Sequence, residues 1–587
     1  MPTQSKKNKK SPGRPRKAEE PKVDLQGLEK PDLLDIYRNM FLSREIDEEE
    51  IRLKGKGKIF FQINGCGHEA INTVLGRVLD PGKDWFFPYY RDRALMLQLG
   101  LTPTEMLKMG TAAHDEPAGA GRQMPSHWGA KHLHVVNQSS CTGSQCLHAV
   151  GTAEAWKKGQ EDESLREHIS DWSEGEIVHV SVGDGTTSEG EFWESLSTAC
   201  NLELPVLFVV EDNGYAISVP VEVNTPGGSI SNLVLGFPGL DVREVDGCDP
   251  IACHAMLTKV VADMRRGNGP TLIHAKVVRP YSHSLSDDER LYRTSAEREE
   301  EADRDPLLSF PKFLLENGLA DEETLEGIRT EVKAAVREAS DIAVACRQPS
   351  SDTVLDHLYS PEVDPTSSEF ETKVEAEEGA TPTTMVDLIN ASMRDEMRRN
   401  PTIHMFGEDV ADASRPEALA EVKGKGGVFK ATFGLQREFG EARVYNSPLA
   451  EANIVGRAIG MAVRGLKPVV EIQFLDYIRP AYHQIRSELA LMRWRSAGAD
   501  KCPVVIRVAS GGYLRGGAVY HSQSAETLFT HIPGLRVVMP SNATDANGLL
   551  RTAMRCDDPV IFLEHKHLYR QTHNKGAYPG SNFMIPF

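Results

Sequence analysis

An α/β fold in two successive units, each with a mainly parallel sheet flanked by helices, is what this sequence predicts. Three observations carry it. The short apolar runs at 177–182 and 206–210 read as buried parallel strands, covered on both faces. A helical pattern at 189–202 lies between them and completes a strand–helix–strand unit. The same alternation returns in the second half, with candidate strands at 403–406, 468–472, 503–508, 535–538 and 559–563 and a helical pattern at 544–554.

The chain has 587 residues, 40% hydrophobic and 26% charged, with a net charge of −19. This is ordinary globular composition and excludes wholesale disorder. No run approaches the roughly 18 apolar residues of a membrane helix, so no spanning segment is expected. Nine cysteines without a C-x-x-C pair do not make a disulfide scaffold. Reduced thiols in a cytoplasm-like compartment are the expectation. The acidic balance argues against general nucleic-acid coating.

Residues 1–29 are expected to form a disordered basic tail. The first twenty hold seven Lys or Arg and two Glu, net +5, and Met1 is their only large apolar residue. Such a segment cannot bury enough to fold. Pro12-Gly13-Arg14-Pro15-Arg16-Lys17 looks like an AT-hook, but a solvated tail is the favoured reading. No apolar stretch follows the charges, as a secretory signal would require. A mitochondrial transit segment would be amphipathic and Arg-rich, whereas this one is rich in Lys and Pro, so a cytoplasmic location is preferred. Residues 30–359 read as the first α/β unit, with 321–346 expected as a charged amphipathic helix pair capping it. Residues 360–381 hold two Pro and seven acids and read as an exposed linker. The second unit is expected over 382–587. No direct internal repeat is visible.

The sharpest chemical signal is Gly183-Asp184-Gly185 followed by Asn213. If the two strands are parallel neighbours, both polar side chains emerge at one carboxyl edge, where open α/β sheets bind ligands. Asp184 offers a hard anionic oxygen and Asn213 an amide oxygen, the donors Mg²⁺ prefers beside phosphate. The glycines allow close backbone approach. A helix starting near Ser188 would aim free N–H groups at the same space.

Residues 183–192 and 212–218 together resemble the thiamine diphosphate motif, and more narrowly the α subunit of 2-oxo acid dehydrogenases, the decarboxylating component. The resemblance implies two thiamine diphosphate-binding domains. It implies that Asp184, Asn213 and the backbone carbonyl of Tyr215 hold Mg²⁺ against the diphosphate, with Gly183 and Gly185 at the cofactor. Gly67-His68-Glu69-Ala70 matches the family's early G-[QH]-E-A. Residues 87–92 match its Y-R-[DE], which implies that Tyr90 and Arg91 contact the cofactor. Gly121-Arg122-Gln123-Met124-Pro125-Ser126-His127 resembles the branched-chain form of that loop. Residues 139–145 align with a stretch that lines the thiazolium, through Ser140 and Thr142, and can hold a monovalent cation such as K⁺. Here the sequence departs from the family: Ser-Cys-Thr stands where Ser-Pro-Leu is usual, so Thr142 replaces the apolar residue that props the bent cofactor. Residues 279–293 resemble the loop that brings His283 to the substrate, and Ser284 matches a regulatory phosphorylation position in some relatives.

The second unit resembles the β subunit. Residues 447–456 match its T-P-[IL]-x-E-x-x-I-V-G, implying Leu449 at the cofactor and Glu451 as the carboxyl that activates the aminopyrimidine. Burial suits a Glu to share a proton in this way. Residues 406–410 match G-E-D-V, with Glu408 at the site. Residues 471–477 imply Gln473 and Tyr477 lining the pyrimidine. Residues 521–524 match H-S-Q-S, with His521 at the substrate mouth. The α and β subunits therefore look fused in one chain. The implied function is oxidative decarboxylation of a branched-chain 2-oxo acid, with acyl transfer to the lipoyl domain of a dihydrolipoyl acyltransferase core, by a homo-oligomer. Pyruvate or acetoin dehydrogenation is the alternative within the family. A transketolase-like transferase and a DNA-associated scaffold are the readings from other classes. Relatives continue past 583–587 into a third α/β domain, so such a domain is expected to be missing here.

Overall fold

The computed structural model describes residues 23–376 and 378–587. The AT-hook-like stretch and most of the expected tail lie outside the described residues. The first unit opens with helix α1 (Lys30–Gly55), started by a reciprocal pair in which the Glu29 and Asp32 side chains and backbone amides bond one another.

Five parallel strands form the first sheet: β1 (Trp85–Phe87), β2 (Val178–Gly183), β3 (Val206–Asp212), β4 (Asp241–Asp246) and β5 (Thr271–Lys276). Their order is β1-β2-β3-β5-β4. The adjacent parallel pair expected at 177–182 and 206–210 is β2 and β3, paired from Val178–Val206 to Gly183–Glu211. Every residue of β2 and β3 is buried, which explains why both are mainly apolar, with His179 and Ser181 the polar residues inside β2. Helix α2 (Ser144–Glu161) precedes β2, and α3 (Gly190–Asn201) connects β2 to β3. The helix expected to start near Ser188 begins two residues later. A tight 3₁₀ turn, Asp184–Ser188, comes first and carries the chain from the strand end. The helix pair expected over 321–346 is a single helix, α4 (Glu322–Ala345). No Gly or Pro interrupts its apolar stripe except Gly327, so nothing turns the chain. Asp321 caps it by accepting from the Thr324 amide, and Ser340 bonds Glu49 of α1 at 2.6 Å.

The second unit begins with α5 (Met385–Arg399). Its sheet holds β6 (Ile403–Gly407), β7 (Val444–Asn446), β8 (Lys467–Ile472), β9 (Val505–Ser510), β10 (Arg536–Val538) and β11 (Val560–His565), in the order β10-β11-β9-β8-β6-β7, all parallel. Helix α6 (Glu451–Val463) enters β8, and α7 (Ala543–Arg555) enters β11. Residues 360–381 are largely exposed. They are pinned along the second unit by Glu375 N–H to Pro579 O (2.8 Å) and Phe587 N–H to Pro365 O (3.0 Å).

One core runs through both units, with Val150 and Ala153 of α2 in the same cluster as Ile454, Ala458 and Met461 of α6. The two helices cross at van der Waals contact of their backbones, which glycine permits. A Cβ on Gly151 would lie 2.0 Å from the Arg457 carbonyl oxygen, and one on Gly460 would lie 2.0 Å from the His148 carbonyl oxygen. Beside the crossing, Arg457 clamps Glu154 with two bonds of 2.7 and 3.0 Å, and Arg464 reaches Glu176 at 2.8 Å. Glu154 is buried, which alone would raise its pKa, but Arg457 and Lys158 outweigh that and hold it near 2.

Candidate active site

A cavity of about 320 Å³ opens at the carboxyl edge of β2 and β3. Among the expected residues it is lined by Tyr90, Ser140, Thr142, Gly183, Asp184, Gly185, Tyr215 and His283. Phe61, Ile63, His127 and Ile217 complete much of its wall. Asp184 begins the turn after β2, and Asn213 follows β3 directly. Two parallel strands in this register deliver both side chains to one edge.

Asp184 is buried, yet neither carboxylate oxygen has a hydrogen-bond partner. Burial, then the charge of Asp212, pushes its pKa up to about 7. Asp212 itself is matched, by His274 at 2.8 Å and Lys276 at 2.6 Å, and its pKa falls to about 2 despite burial. An unpaired buried carboxylate beside a neutral amide oxygen has the chemistry of a hard divalent cation site. The glycines fit the same purpose. A Cβ on Gly183 would lie 2.8 Å from the Tyr89 hydroxyl, and one on Gly185 would lie 2.5 Å from Ala216 Cβ. The residues present therefore fit a metal-bound diphosphate.

Asn213 is oriented by a buried relay. His68 Nδ1 lies 2.5 Å from Glu211 Oε2, and His68 Nε2 lies 3.2 Å from Asn213 Nδ2. With its proton on Nδ1, His68 accepts from the Asn213 amide. That leaves Asn213 Oδ1 as the acceptor, 3.2 Å from the Tyr215 N–H. Burial and the Arg91 and Arg279 charges keep His68 neutral. Ligand orientation of this kind is worth 10–100-fold in metal affinity. If Asn213 ligates Mg²⁺, as the resemblance implies, His68→Ala is expected to raise the Mg²⁺ concentration needed for half-saturation by about 10–100-fold, read by titrating Mg²⁺ at fixed thiamine diphosphate. An unchanged requirement would show that Asn213 needs no orienting partner.

Arg91 is buried and is not itself on the cavity wall. Its Nη1 donates to the Asn64 carbonyl at 2.5 Å, and its Nη2 meets His283 at Nδ1 and O, both 3.2 Å. The guanidinium thus holds His283, which lines the cavity. Burial, then Arg91 and Arg279, lowers the His283 pKa to about 4. Accepting from Arg91 at Nδ1 puts the ring proton on Nε2. His127 is also held neutral, near 4, chiefly by burial; its Nδ1 bonds the Pro125 carbonyl at 2.9 Å and its Nε2 is free. Arg279 fixes the 215–217 segment from behind, through Ile217 O at 3.0 Å and Tyr215 O at 3.5 Å. Ser284 is buried next to His283 and bonds Ser286 at 2.9 Å.

The second-unit residues gather elsewhere. Glu451 starts α6, with Glu408 from the end of β6 against it. Burial, then the Glu451 carboxylate, pushes Glu408 upward. Glu194 of α3 accepts from the Asn453 N–H at 3.0 Å, and burial, with Glu191 and Glu451 nearby, raises its pKa to about 7. Gln473 follows β8, and Tyr477 closes the next 3₁₀ turn. Tyr477 Oη lies 2.8 Å from His521 Nε2, while His521 Nδ1 lies 3.0 Å from Gly517 O. His521 thus donates from Nδ1 to the Gly517 carbonyl, and its Nε2 faces the Tyr477 hydroxyl. Leu449 is 78% exposed. None of these residues is on the wall of the cavity; every lining residue falls between 61 and 283. The structure therefore leaves the second-unit residues off this cavity, with Glu408 against Glu451 and Tyr477 against His521.

The sequence reading passed over His127 as an individual residue, and over Glu211, Arg279 and Phe61. Glu211 and His68 are 143 positions apart and become partners only once β3 is laid down.

A family model described as "Dehydrogenase E1 component" matches residues 37–351, and one described as "Transketolase, pyrimidine binding domain" matches residues 381–572. The chain is 35% identical over 333 residues to the 2-oxoisovalerate dehydrogenase subunit alpha of Bacillus subtilis (strain 168), covering 57% of this chain and 97% of that protein. It is 47% identical over 201 residues to the corresponding subunit beta, covering 34% of this chain and 57% of that one. Over 203 residues it is 42% identical to the pyruvate dehydrogenase E1 component subunit beta of Acholeplasma laidlawii, covering 35% of this chain and 58% of that protein. The chain thus spans little more than half the length of these β-subunit relatives. Among the described residues, no helix is long and apolar enough to cross a membrane.

Proposed function

The chain belongs to the dehydrogenase E1 component family, and from that premise we propose that it decarboxylates a 2-oxo acid oxidatively with thiamine diphosphate and hands the acyl group to a lipoyl group on a dihydrolipoyl acyltransferase. The observation that carries this reading is the unpaired, buried Asp184 at a glycine-flanked strand end, facing a cavity that also holds a neutral His283.

Asp184, Asn213 and the Tyr215 carbonyl would hold Mg²⁺, and Gly183 and Gly185 would let the diphosphate approach the backbone. When bound, the cofactor supplies the carbanion chemistry. Glu451 would hydrogen-bond the pyrimidine ring, with Glu408 against it. His283, protonated on Nε2, donates to the substrate carboxylate. His521 meets the substrate or the lipoyl sulfur from the other group. A phosphate on Ser284 would oppose a carboxylate beside His283, and the burial of Ser284 means its loop must open first.

Branched-chain substrates are favoured. Both 2-oxoisovalerate dehydrogenase subunits are among the relatives, and the 121–127 loop has the branched-chain form. The similarity to a pyruvate dehydrogenase β subunit keeps pyruvate as the competing substrate. Purified protein with thiamine diphosphate, Mg²⁺ and a reducible dye is expected to turn over 3-methyl-2-oxobutanoate faster than pyruvate. No dye reduction with any 2-oxo acid would overturn the dehydrogenase reading.

The separation of the two groups supports a site completed by a second copy, with the cavity of one chain meeting Glu451, Gln473, Tyr477 and His521 of the other. Co-expression of Asp184→Asn and Glu451→Gln chains tests this. Random pairing makes half the dimers hybrid, and each hybrid has one intact site only if sites form between chains. About a quarter of wild-type activity is then expected. Near-zero activity in the mixture would place the whole site within one chain.

A further inference from the structure

The loop that carries Ser140 and Thr142 onto the cavity wall holds Cys141 between them, half-buried and turned toward the second unit. There its sulfur joins His483 and Glu488, with one ligand atom from each residue lying within 4.8 Å of the other two. His483 introduces a π-helical segment, Gln484–Leu489, a local winding that recurs at functional sites. Its Nδ1 lies 3.2 Å from Glu191 Oε1 of α3. Its Nε2 lies 3.9 Å from Glu488 Oε1 and is buried without a hydrogen-bond partner, so this nitrogen is left for the sulfur. Glu488 is fully buried and held by Arg495 at 2.8 Å and by the Ser139 hydroxyl.

These neighbours set the charge states. Contact with the thiol, then with Glu191, lifts His483 to about 10. Contact with His483 lowers Cys141, while burial and Glu488 oppose it. A thiol beside an imidazole that lowers its pKa is the arrangement of a reactive cysteine. The other eight cysteines differ. Six are buried, and burial raises their thiols. Cys200 is half-buried and pushed up to about 11 by burial. Cys346 is half-buried with no histidine partner among its described contacts.

We propose that Cys141 is a peroxide-reactive thiol with His483 as its acid partner, and that its oxidation loosens the adjoining cofactor cavity. The thiolate sulfur attacks one oxygen of hydrogen peroxide. The O–O bond breaks as the S–O bond forms, and the leaving hydroxide takes the His483 proton to depart as water. Sulfur is oxidised by two electrons to the sulfenic acid, and the peroxide is reduced. A small thiol reverses the change, first forming a mixed disulfide and water, then releasing the thiol in a second exchange. A metal ion is the competing occupant. It is disfavoured because Glu488 already serves Arg495 and Ser139, and because His483 is protonated between two carboxylates. The thiol chemistry stands without the proposed catalysis; the effect on the cavity rests on that reading.

The test uses the full chain. Treatment with hydrogen peroxide and a 1,3-dione that traps sulfenic acid, followed by peptide mass spectrometry, is expected to label Cys141 about tenfold faster than Cys346 or Cys200. Alkylation of Cys141 by iodoacetamide is expected to stay fast below the pH at which Cys346 slows. Cys141→Ser should keep Mg²⁺-dependent binding of thiamine diphosphate and lose its sensitivity to peroxide. His483→Gln should slow the labelling; if that variant does not fold, the wild-type pH profile decides. Labelling of Cys141 no faster than Cys346 would overturn the proposal. So would stoichiometric protection of Cys141 by Zn²⁺, which would assign the cluster to a metal. Labelling at Cys141 with cofactor binding unchanged would leave the reactive thiol and refute its link to the cavity.

Discussion

Glu451→Gln is expected to lower turnover by about 10²–10⁴-fold, while Mg²⁺-dependent binding of thiamine diphosphate persists. The substitution keeps shape and hydrogen bonding but removes the group that can take up and release a proton. Binding should survive because the cavity that would hold the diphosphate is lined only by residues of the first unit. Dye-linked turnover at saturating cofactor, set beside calorimetric binding, separates the two effects. Glu451 starts α6 with no side-chain cap of its own, and Glu408 packs against it. A variant with normal turnover would hand the proton role to another carboxyl, with Glu408 the nearest candidate. A variant that cannot bind the cofactor would make Glu451 a structural residue.

Gly460→Val is expected to destabilise the chain by more than about 3 kcal/mol. The added Cβ would meet the His148 carbonyl oxygen at 2.0 Å and the Thr152 nitrogen at 2.7 Å. Both are backbone atoms of a helix, so no side chain can rotate aside. The helices would have to separate, opening a core shared by both units. Gly327→Ala is the control. That glycine lies in α4 with nothing within 4 Å of an added Cβ, so a gain of about 0.5–1 kcal/mol is expected. Urea or thermal unfolding reads both. Equal stability of Gly460→Val and the parent would mean that the crossing is looser than described.

Strands buried on both faces were the most legible part of the fold. β2 and β3 are buried throughout and mainly apolar, so length and composition mark them out. β4 and β5 were not. β4 is a half-exposed edge strand reading Asp-Val-Arg-Glu-Val-Asp, and β5 carries His274 and Lys276, both spent on Asp212. Polar residues whose partners lie on another strand hide a strand from any periodicity test. Asp184, Tyr90 and His283, which line the cavity, and Asn213, which follows β3, could be named from sequence because each belongs to a contiguous motif. Their supports could not. Glu211 behind His68, Arg279 behind Tyr215, and Arg91 turned onto His283 depend on contacts between segments far apart in sequence. The stretch expected as a helix pair is one helix, 322–345, because its single glycine, Gly327, sits in open, helical backbone and does not turn the chain.

The close helix crossing bears on why the two units share one polypeptide. Cohesion between them resides in buried backbone contact and in the Glu154–Arg457 and Glu176–Arg464 pairs. The strap at 360–381 contributes to none of these. Severing it would leave every one of those atoms in place. What the peptide link adds is therefore dosage: each first half is synthesised with one second half beside it, in equal number and at high local concentration, whatever the rates of expression.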